Sequence, residues 1–482
     1  MDEKNLFRGQ VFQDPSSQPT QVSTPEQAAP STPPISSAPV SSFTPSQGVS
    51  SETSSEPIDQ SSSLDGSGAR FSAANIIKLL IGLFAVFVLL IIIFGLVIPN
   101  IGKKEQKSEL TFWDVSDTNI QSVLPDFEKQ NPNIKVNYSK QDIKDYKDRL
   151  VTRSKNGTGP DIFRFHNTWV LQLSDILLPI PSDVITRDEF NRVFYPVAKH
   201  DLVKNGAIYG IPLEIDTLSL FVNSAMLKQY NVSAPTNWND SVPSARALTL
   251  KDQNGKIKSA GVAMGTFDNI THAPDIISLL FAQDSVNLDD ISQTKSRVVD
   301  ALNFYTAFAK DEGSVWDSTL EPSLISFSKG NLAMYFGYYK DQLMIKSANP
   351  NISFDVLNVP HLAGQNTTIA SYYPIGISLN SKHQKEALLL LKFLSQKSVA
   401  EKLTSLPYAR MDLPDRSKGQ TKDSVSSFFS GETFDNGLNS QLNSHLSNAI
   451  SSILSGGSSD SAADNLILGF SQVLNQFLPK SK

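Results

Sequence analysis

A chain of 482 residues that is 40% hydrophobic, with a formal net charge of -6 and a pI near 5.6, is ordinary for a globular protein and far too polar for a multi-span transporter. Its lysines are spread among acids rather than gathered into a stripe, which excludes the basic field that nucleic acid requires. With no cysteine the chain has no disulfide, no thiolate nucleophile, no sulfur-ligated zinc site and no residue for lipid attachment of a secreted protein.

In chain order, residues 1–74 are built mainly from Pro, Ser, Thr, Gln and Gly between Gln10 and Gly68, with too few large apolar residues to offset chain entropy. This tail is expected to be disordered. Leu79 to Ile98, LLIGLFAVFVLLIIIFGLVI, is about twenty uncharged residues, the length that crosses a bilayer core as a helix. A transmembrane helix is therefore expected over 75–99, with a linker over 100–107. A cleaved signal peptide fits poorly, because the run is long, lies far from Met1 and is followed by Val97-Ile98-Pro99-Asn100 rather than a small-residue cleavage site. Arg70 and Lys78 precede the run while Lys103, Lys104 and Lys107 follow it, so flanking charge leaves the orientation open.

Residues 108–482 are too many for one simple core, and two domains are expected. LTFWDV reads as a buried strand, Thr118 to Gln130 as an amphipathic helix, IKVNY as a strand, a segment with Ile143, Tyr146 and Leu150 as a helix, and DIFRF as a third strand. Later, IKSAGVAM, NLAMYFGYY, FDVLNVP and YYPIGISLN read as strands. ALNFYTAFAK, Lys385 to Leu406, Leu438 to Leu454 and Ala462 to Phe477 read as helices. The alternation argues for an α/β fold of helix-covered parallel sheets.

The order of these segments resembles the extracellular solute-binding proteins of ABC importers, in the carbohydrate-binding group that includes maltose-binding protein (family 1). The likeness is carried by LTFWDV with VLPDFEKQNPNIKVNY, by GPDIFRFHNTWVLQLSD, by NGAIYGIPLEIDTLSLFVNSAMLKQYNVSAPTNWND, and by FSKGNLAMYFGYYKDQL with SYYPIGISLN and EKLTSLPYARMDLP. It implies a two-lobe periplasmic-binding-protein-like fold with a hinge: lobe 1 over 108–215 and 360–407, lobe 2 over 217–357 and 408–482. It also implies a ligand cleft between the lobes, a partner ABC permease, a monomeric protein without cofactor or metal, and an extracytoplasmic domain with the tail in the cytoplasm.

A carbohydrate cleft needs carboxylates and amides for hydroxyls and flat aromatics for sugar faces. By resemblance Asp216 takes the place of a ligand-facing acid in the crossover strand; a hinge ion pair is the alternative. Glu214 shares its face by the period of two. Trp113 and Asp114 end the first strand, where binding crevices of parallel sheets form, although Trp113 reads equally well as core. Asn167 and Trp169 hold the same topological position after the third strand. Tyr338 and Tyr339 match the family's aromatic platform, one facing the cleft and the other the core. Phe267, Asp268 and Tyr373 end or precede further strands, and Arg410 matches a position near the hinge that an ion pair would also explain.

No G-x-S-x-G, H-E-x-x-H or G-x-x-x-x-G-K-[ST] motif occurs. Glu214 and Asp216 lie on one strand face and line one wall, whereas glycosidase acids flank the scissile bond. Binding without catalysis is expected, with a signalling receptor ectodomain or an extracytoplasmic hydrolase as the alternatives.

Overall fold

The computed structural model describes residues 73–92, 107–116, 118–287, 290–362, 364–417, 420–426 and 438–477. Almost all of the expected tail, and the linker apart from Lys107, lie outside them. A helix spans Ala73–Ile92, beginning two residues before the expected boundary and belonging to a unit separate from residues 105–482. Its apolar side chains are exposed all round, from Ile77 through Phe84 to Ile92. Among the described residues, no helix is long and apolar enough to cross a membrane. The part of the expected run that lies inside this helix begins at Leu79, after Lys78, and ends at Ile92, a rise of about 21 Å against a hydrocarbon core of about 30 Å. The described helix thus falls short of the expected span, whose remainder, Ile93 to Ile98, lies outside the described residues.

Residues 105–482 form the second unit. Its described strands are β1 (Ser108–Asp114), β2 (Ile134–Lys140), β3 (Ile162–Arg164), β4 (Val203–Lys204), β5 (Ala207–Ile208), β6 (Asp216–Thr217), β7 (Ser219–Asn223), β8 (Leu250–Lys251), β9 (Ile257–Val262), β10 (Leu332–Gly337), β11 (Phe354–Leu357), β12 (Thr368–Ser371), β13 (Ile375–Ile377) and β14 (Ser424–Ser426). Lobe 1 is built on a sheet ordered β13-β3-β1-β2, parallel except for β13. Lobe 2 is built on β11-β7-β10-β9-β8, in which β10 and β9 are the parallel pair. A third sheet, β14-β12-β6, gathers strands at the crossings between the lobes, and β4 pairs with β5 as a short hairpin.

Burial explains why these segments take these shapes. In β1, Leu110 and Phe112 are fully buried, and Phe112 meets Tyr138 of β2 edge to face at 5.7 Å. In β3 the alternation puts Phe163 on one face and Arg164 on the other. Apolar side chains sort into two large cores, Leu110 to Ile215 with Ala370 to Ala409, and Leu218 to Val359 with Ile369 and Leu442 to Val473. The returning crossing therefore changes core between Ile369 and Ala370, about ten residues beyond the expected boundary, because Val359 and Ile369 pack into lobe 2.

Two expected helices are broken. Thr118 to Gln130 becomes a 3₁₀ turn, Ile120–Ser122, and a helix Leu124–Gln130 with Pro125 in its first turn, where a missing N–H costs nothing. Lys385 to Leu406 becomes two helices, Gln384–Leu394 and Lys397–Leu403, which bury Leu390 and Leu394, then Val399 and Leu403, in the same core. Leu438–Leu454 and Ser459–Phe477 form a hairpin against the helix Lys295–Thr306, tied by Lys295 to Asp464 at 2.6 Å.

Candidate ligand-binding site

Lobe 1 brings a buried cation to the carboxyl ends of its strands. Arg164, fully buried, donates from Nη1 to Glu214 Oε1 at 3.0 Å and from Nη2 to Thr118 Oγ1 at 2.6 Å, and its Nε stands 3.6 Å from Asp114 Oδ1. Its Nη1 also donates to the carbonyl of Tyr373, on the returning crossing. Asp114 accepts from the Ser116 amide at 2.8 Å and from the Tyr138 hydroxyl at 3.1 Å. Burial raises the Glu214 pKa and Asp114 adds to the rise, with Arg164 opposing both. Glu214 and Asp114 are thus spent inside the lobe.

The aromatic candidates of lobe 1 form one cluster. Trp113 and Trp169, 8% and 1% exposed, flank Tyr146 at 6.3 Å each, and Tyr373 meets Trp169 edge to face at 6.4 Å. The Trp169 indole N–H is buried with no hydrogen-bond partner among the described residues. Asn167 donates to Asp201 Oδ2 at 2.8 Å, and the Tyr372 hydroxyl donates to the same oxygen at 2.8 Å, tying the third strand to the second crossing. Arg410 forks onto Asp412 at 2.9 Å and donates to the Ser395 carbonyl at 2.7 Å, the ion-pair arrangement.

Lobe 2 supplies an exposed aromatic. Tyr338 is fully buried edge to face on His272 at 5.0 Å, whereas Tyr339 is 36% exposed. Behind them Asp341 Oδ2 takes His272 Nε2 at 2.9 Å and the Tyr335 hydroxyl at 2.8 Å. Burial disfavours charge on His272, yet the Asp341 and Asp275 carboxylates outweigh it and push its pKa up to about 10. Phe267 is half-buried against the lobe 2 core, and Asp268 is exposed beside Ser447, so neither joins the Tyr339 group.

Asp216 and Tyr339 line one cavity of about 260 Å³ together with Thr217, Gln342, Arg416 and Ser417 among others. No lobe 1 strand-end candidate lines it. Gln342 Nε2 is buried without a hydrogen-bond partner among the described residues, a donor at the cavity wall that sequence reasoning missed. Its only sequence signal is its place three residues after Tyr339, one turn further along. Arg416, also missed, lies over the Tyr408 ring at 4.1 Å and is anchored by the Thr404 carbonyl at 2.7 Å. Among the described residues no group of His, Cys, Asp or Glu is arranged to hold a metal ion.

Residues 114–401 match the bacterial extracellular solute-binding protein family. The chain belongs to that family. It is accordingly a solute-binding protein, a class that binds rather than catalyses. A curated relative from Brucella abortus (strain 2308) is 22% identical over 299 residues, covering 59% of this chain and 70% of the relative. Among solved structures, an ABC transporter solute-binding protein of Thermotoga lettingae bound with alpha-D-tagatose is 19% identical with a TM-score of 0.59, covering 76% of this chain and 100% of its own. An ABC substrate-binding protein of Listeria monocytogenes in complex with cycloalternan is 20% identical with a TM-score of 0.60, covering 77% and 99%. The sugar-binding protein MalE of Xanthomonas citri is 17% identical with a TM-score of 0.60, covering 77% and 98%. At these identities the solute-binding proteins share the two-lobe fold of this chain.

Proposed function

We propose that this solute-binding protein captures a saccharide between its lobes and delivers it to an ABC permease, held at the membrane by the apolar run Leu79 to Ile98. The observation that carries the saccharide reading is the Tyr339 ring, exposed at the rim of lobe 2, over a cavity that also offers the Gln342 amide donor and the Arg416 guanidinium. A flat ring for a sugar face beside hydrogen-bonding groups for its hydroxyls is the chemistry a saccharide demands. The saccharide ligands named for the Thermotoga and Listeria structures point the same way. Trp113, Asp114, Asn167, Trp169, Glu214 and Tyr373 would serve as the supporting wall of lobe 1, and a ligand touching both lobes would favour their closed arrangement.

The test is thermal unfolding of the full chain in detergent against a panel of saccharides, peptides and polyamines. A ligand that binds only the native state adds about 2.7 kcal/mol at a hundred times its Kd, so a saccharide should raise the Tm. If peptides or polyamines raise it and no saccharide does, the saccharide reading fails. The anchor is supported by the all-round exposure of apolar side chains on Ala73–Ile92 and by the continuation of the run to Ile98 in sequence. Protease protection of the tail in intact cells tests it together with its orientation: protection is expected, and tail cleavage from outside would reverse the topology.

A further inference from the structure

Three successive backbone N–H groups follow β10, at Tyr338, Tyr339 and Lys340, and each donates to a carboxylate. Tyr338 N donates to Asp341 Oδ2 at 3.0 Å, within lobe 2. Tyr339 N and Lys340 N donate to Asp216 Oδ1 at 2.9 Å and Oδ2 at 3.0 Å. The two carboxylates come from different parts of the molecule. Asp341 is fixed from inside lobe 2 by Tyr335 and His272, whereas Asp216 begins β6, whose pairing with β12 sets Asp216 opposite Ser371 in the sheet at the crossings. Gly337 completes the arrangement, because a Cβ there would stand 2.2 Å from Tyr335 Cε1 and 2.5 Å from Asp341 Oδ2.

We infer that Asp216 is a positioning residue, which sets the Tyr339 ring from the hinge by holding two consecutive amides rather than by binding a ligand hydroxyl. The inference rests on the reading of Tyr339 as the stacking surface. Asp216 is buried, and its Oδ1 also takes the Thr217 amide at 2.8 Å, which occupies both lone pairs of that oxygen. Bonds from amides to an ionised carboxylate are about twice as strong as neutral ones. Holding consecutive amides fixes the backbone dihedrals between them, and those dihedrals aim the Tyr339 side chain. A ligand that prefers one orientation of the ring thereby prefers one position of β6, and the coupling acts equally in both directions.

Hydrogen exchange of the unliganded full chain, read residue by residue by electron-transfer fragmentation, tests the assignment directly. Asp216→Ala should speed exchange at Tyr339 and Lys340 at least tenfold and leave Tyr338, held by Asp341, as in the wild type. Asp216→Asn keeps one carbonyl oxygen and replaces the other acceptor with an NH₂ group, so it should release one of the two amides and not both. Unchanged exchange at both amides in Asp216→Ala, or exchange that rises at Tyr338 and through β10 as well, overturns the assignment. A second arm titrates maltotriose by calorimetry into the wild type, Asp216→Ala, Tyr339→Ala and the double variant. A residue acting through Tyr339 loses its effect once the ring is gone, so the affinity penalty of Asp216→Ala should vanish in the Tyr339→Ala background. Penalties that multiply instead assign Asp216 to direct ligand contact and overturn the proposal. The exchange arm uses no ligand; failure of maltotriose to bind the wild type would count against the saccharide reading alone.

Discussion

Each lobe buries one cation between two carboxylates near the ends of its strands, and the two lobes do it differently. Lobe 1 uses Arg164, which stays charged at every accessible pH, and spends its donors on Glu214 and the Tyr373 carbonyl, both on chain segments that lead across the hinge. Lobe 2 uses His272, whose charge exists only because Asp341 and Asp275 hold it, and all three residues stay within that lobe. The permanent charge ties the lobe to the hinge; the conditional charge supports the aromatic platform. Two sites that look alike in charge therefore differ in what they control and in how pH reaches them.

The largest expected effect comes from breaking the lobe 1 network. Arg164→Met leaves Asp114 and Glu214 buried without their cation, and loss of one partner from a buried pair costs about 3–5 kcal/mol. Urea unfolding of the variant should show that loss; a loss below about 1 kcal/mol would mean that Arg164 does not anchor lobe 1.

Next is the pH dependence of lobe 2. The folded pKa of His272 lies above its ordinary value of 6.5, so its stabilisation is fully present below that value and is lost as pH rises through about 10. The urea midpoint of the wild type should fall between pH 7 and 10, and His272→Gln should flatten that fall. Arg164→Met should keep it. Equal pH slopes in wild type and His272→Gln would remove the distinction between the lobes.

Gly337→Ala should cost about 1–3 kcal/mol by overpacking against Tyr335 and Asp341, measured by the same unfolding. A neutral result would show that the platform loop yields. The smallest effect is expected for Gln342→Ala, which removes a single cavity donor: saccharide affinity should fall about two- to tenfold, from about 0.5–1.5 kcal/mol, with unfolding unchanged.

The strand and helix rhythm was legible because burial writes itself into short periodicities, and LTFWDV read as a buried strand, as the burial of Leu110 and Phe112 bears out. Pairings across the fold leave no such trace. Asp114 and Glu214 are a hundred residues apart in sequence, and nothing local announces that Arg164, between two phenylalanines in DIFRF, will stand between them. For the same reason Asn167 read as a candidate for ligand binding, and its bond to Asp201 left no local trace. Tyr338 and Tyr339 were separable in principle by the strand period, which sends neighbours to opposite faces, and the structure gives the exposed place to Tyr339. Gln342 and Arg416 were missed because each becomes a wall of the cavity only when a helix turn and a crossing segment meet β6.

The antiparallel strand β13 has a consequence for biosynthesis. It covers the outer edge of β3, pairing Ile377 with Ile162 and Ile375 with Arg164, yet it leaves the ribosome about two hundred residues after its partner. At roughly 5–20 residues per second the interval is about 10–40 s. Throughout that time the β3 edge presents unpaired N–H and C=O groups in an apolar setting, the kind of edge on which other chains can pair. A nascent lobe 1 is therefore an aggregation hazard until the returning segment docks, and a chaperone that masks β3 during synthesis would have the most to protect.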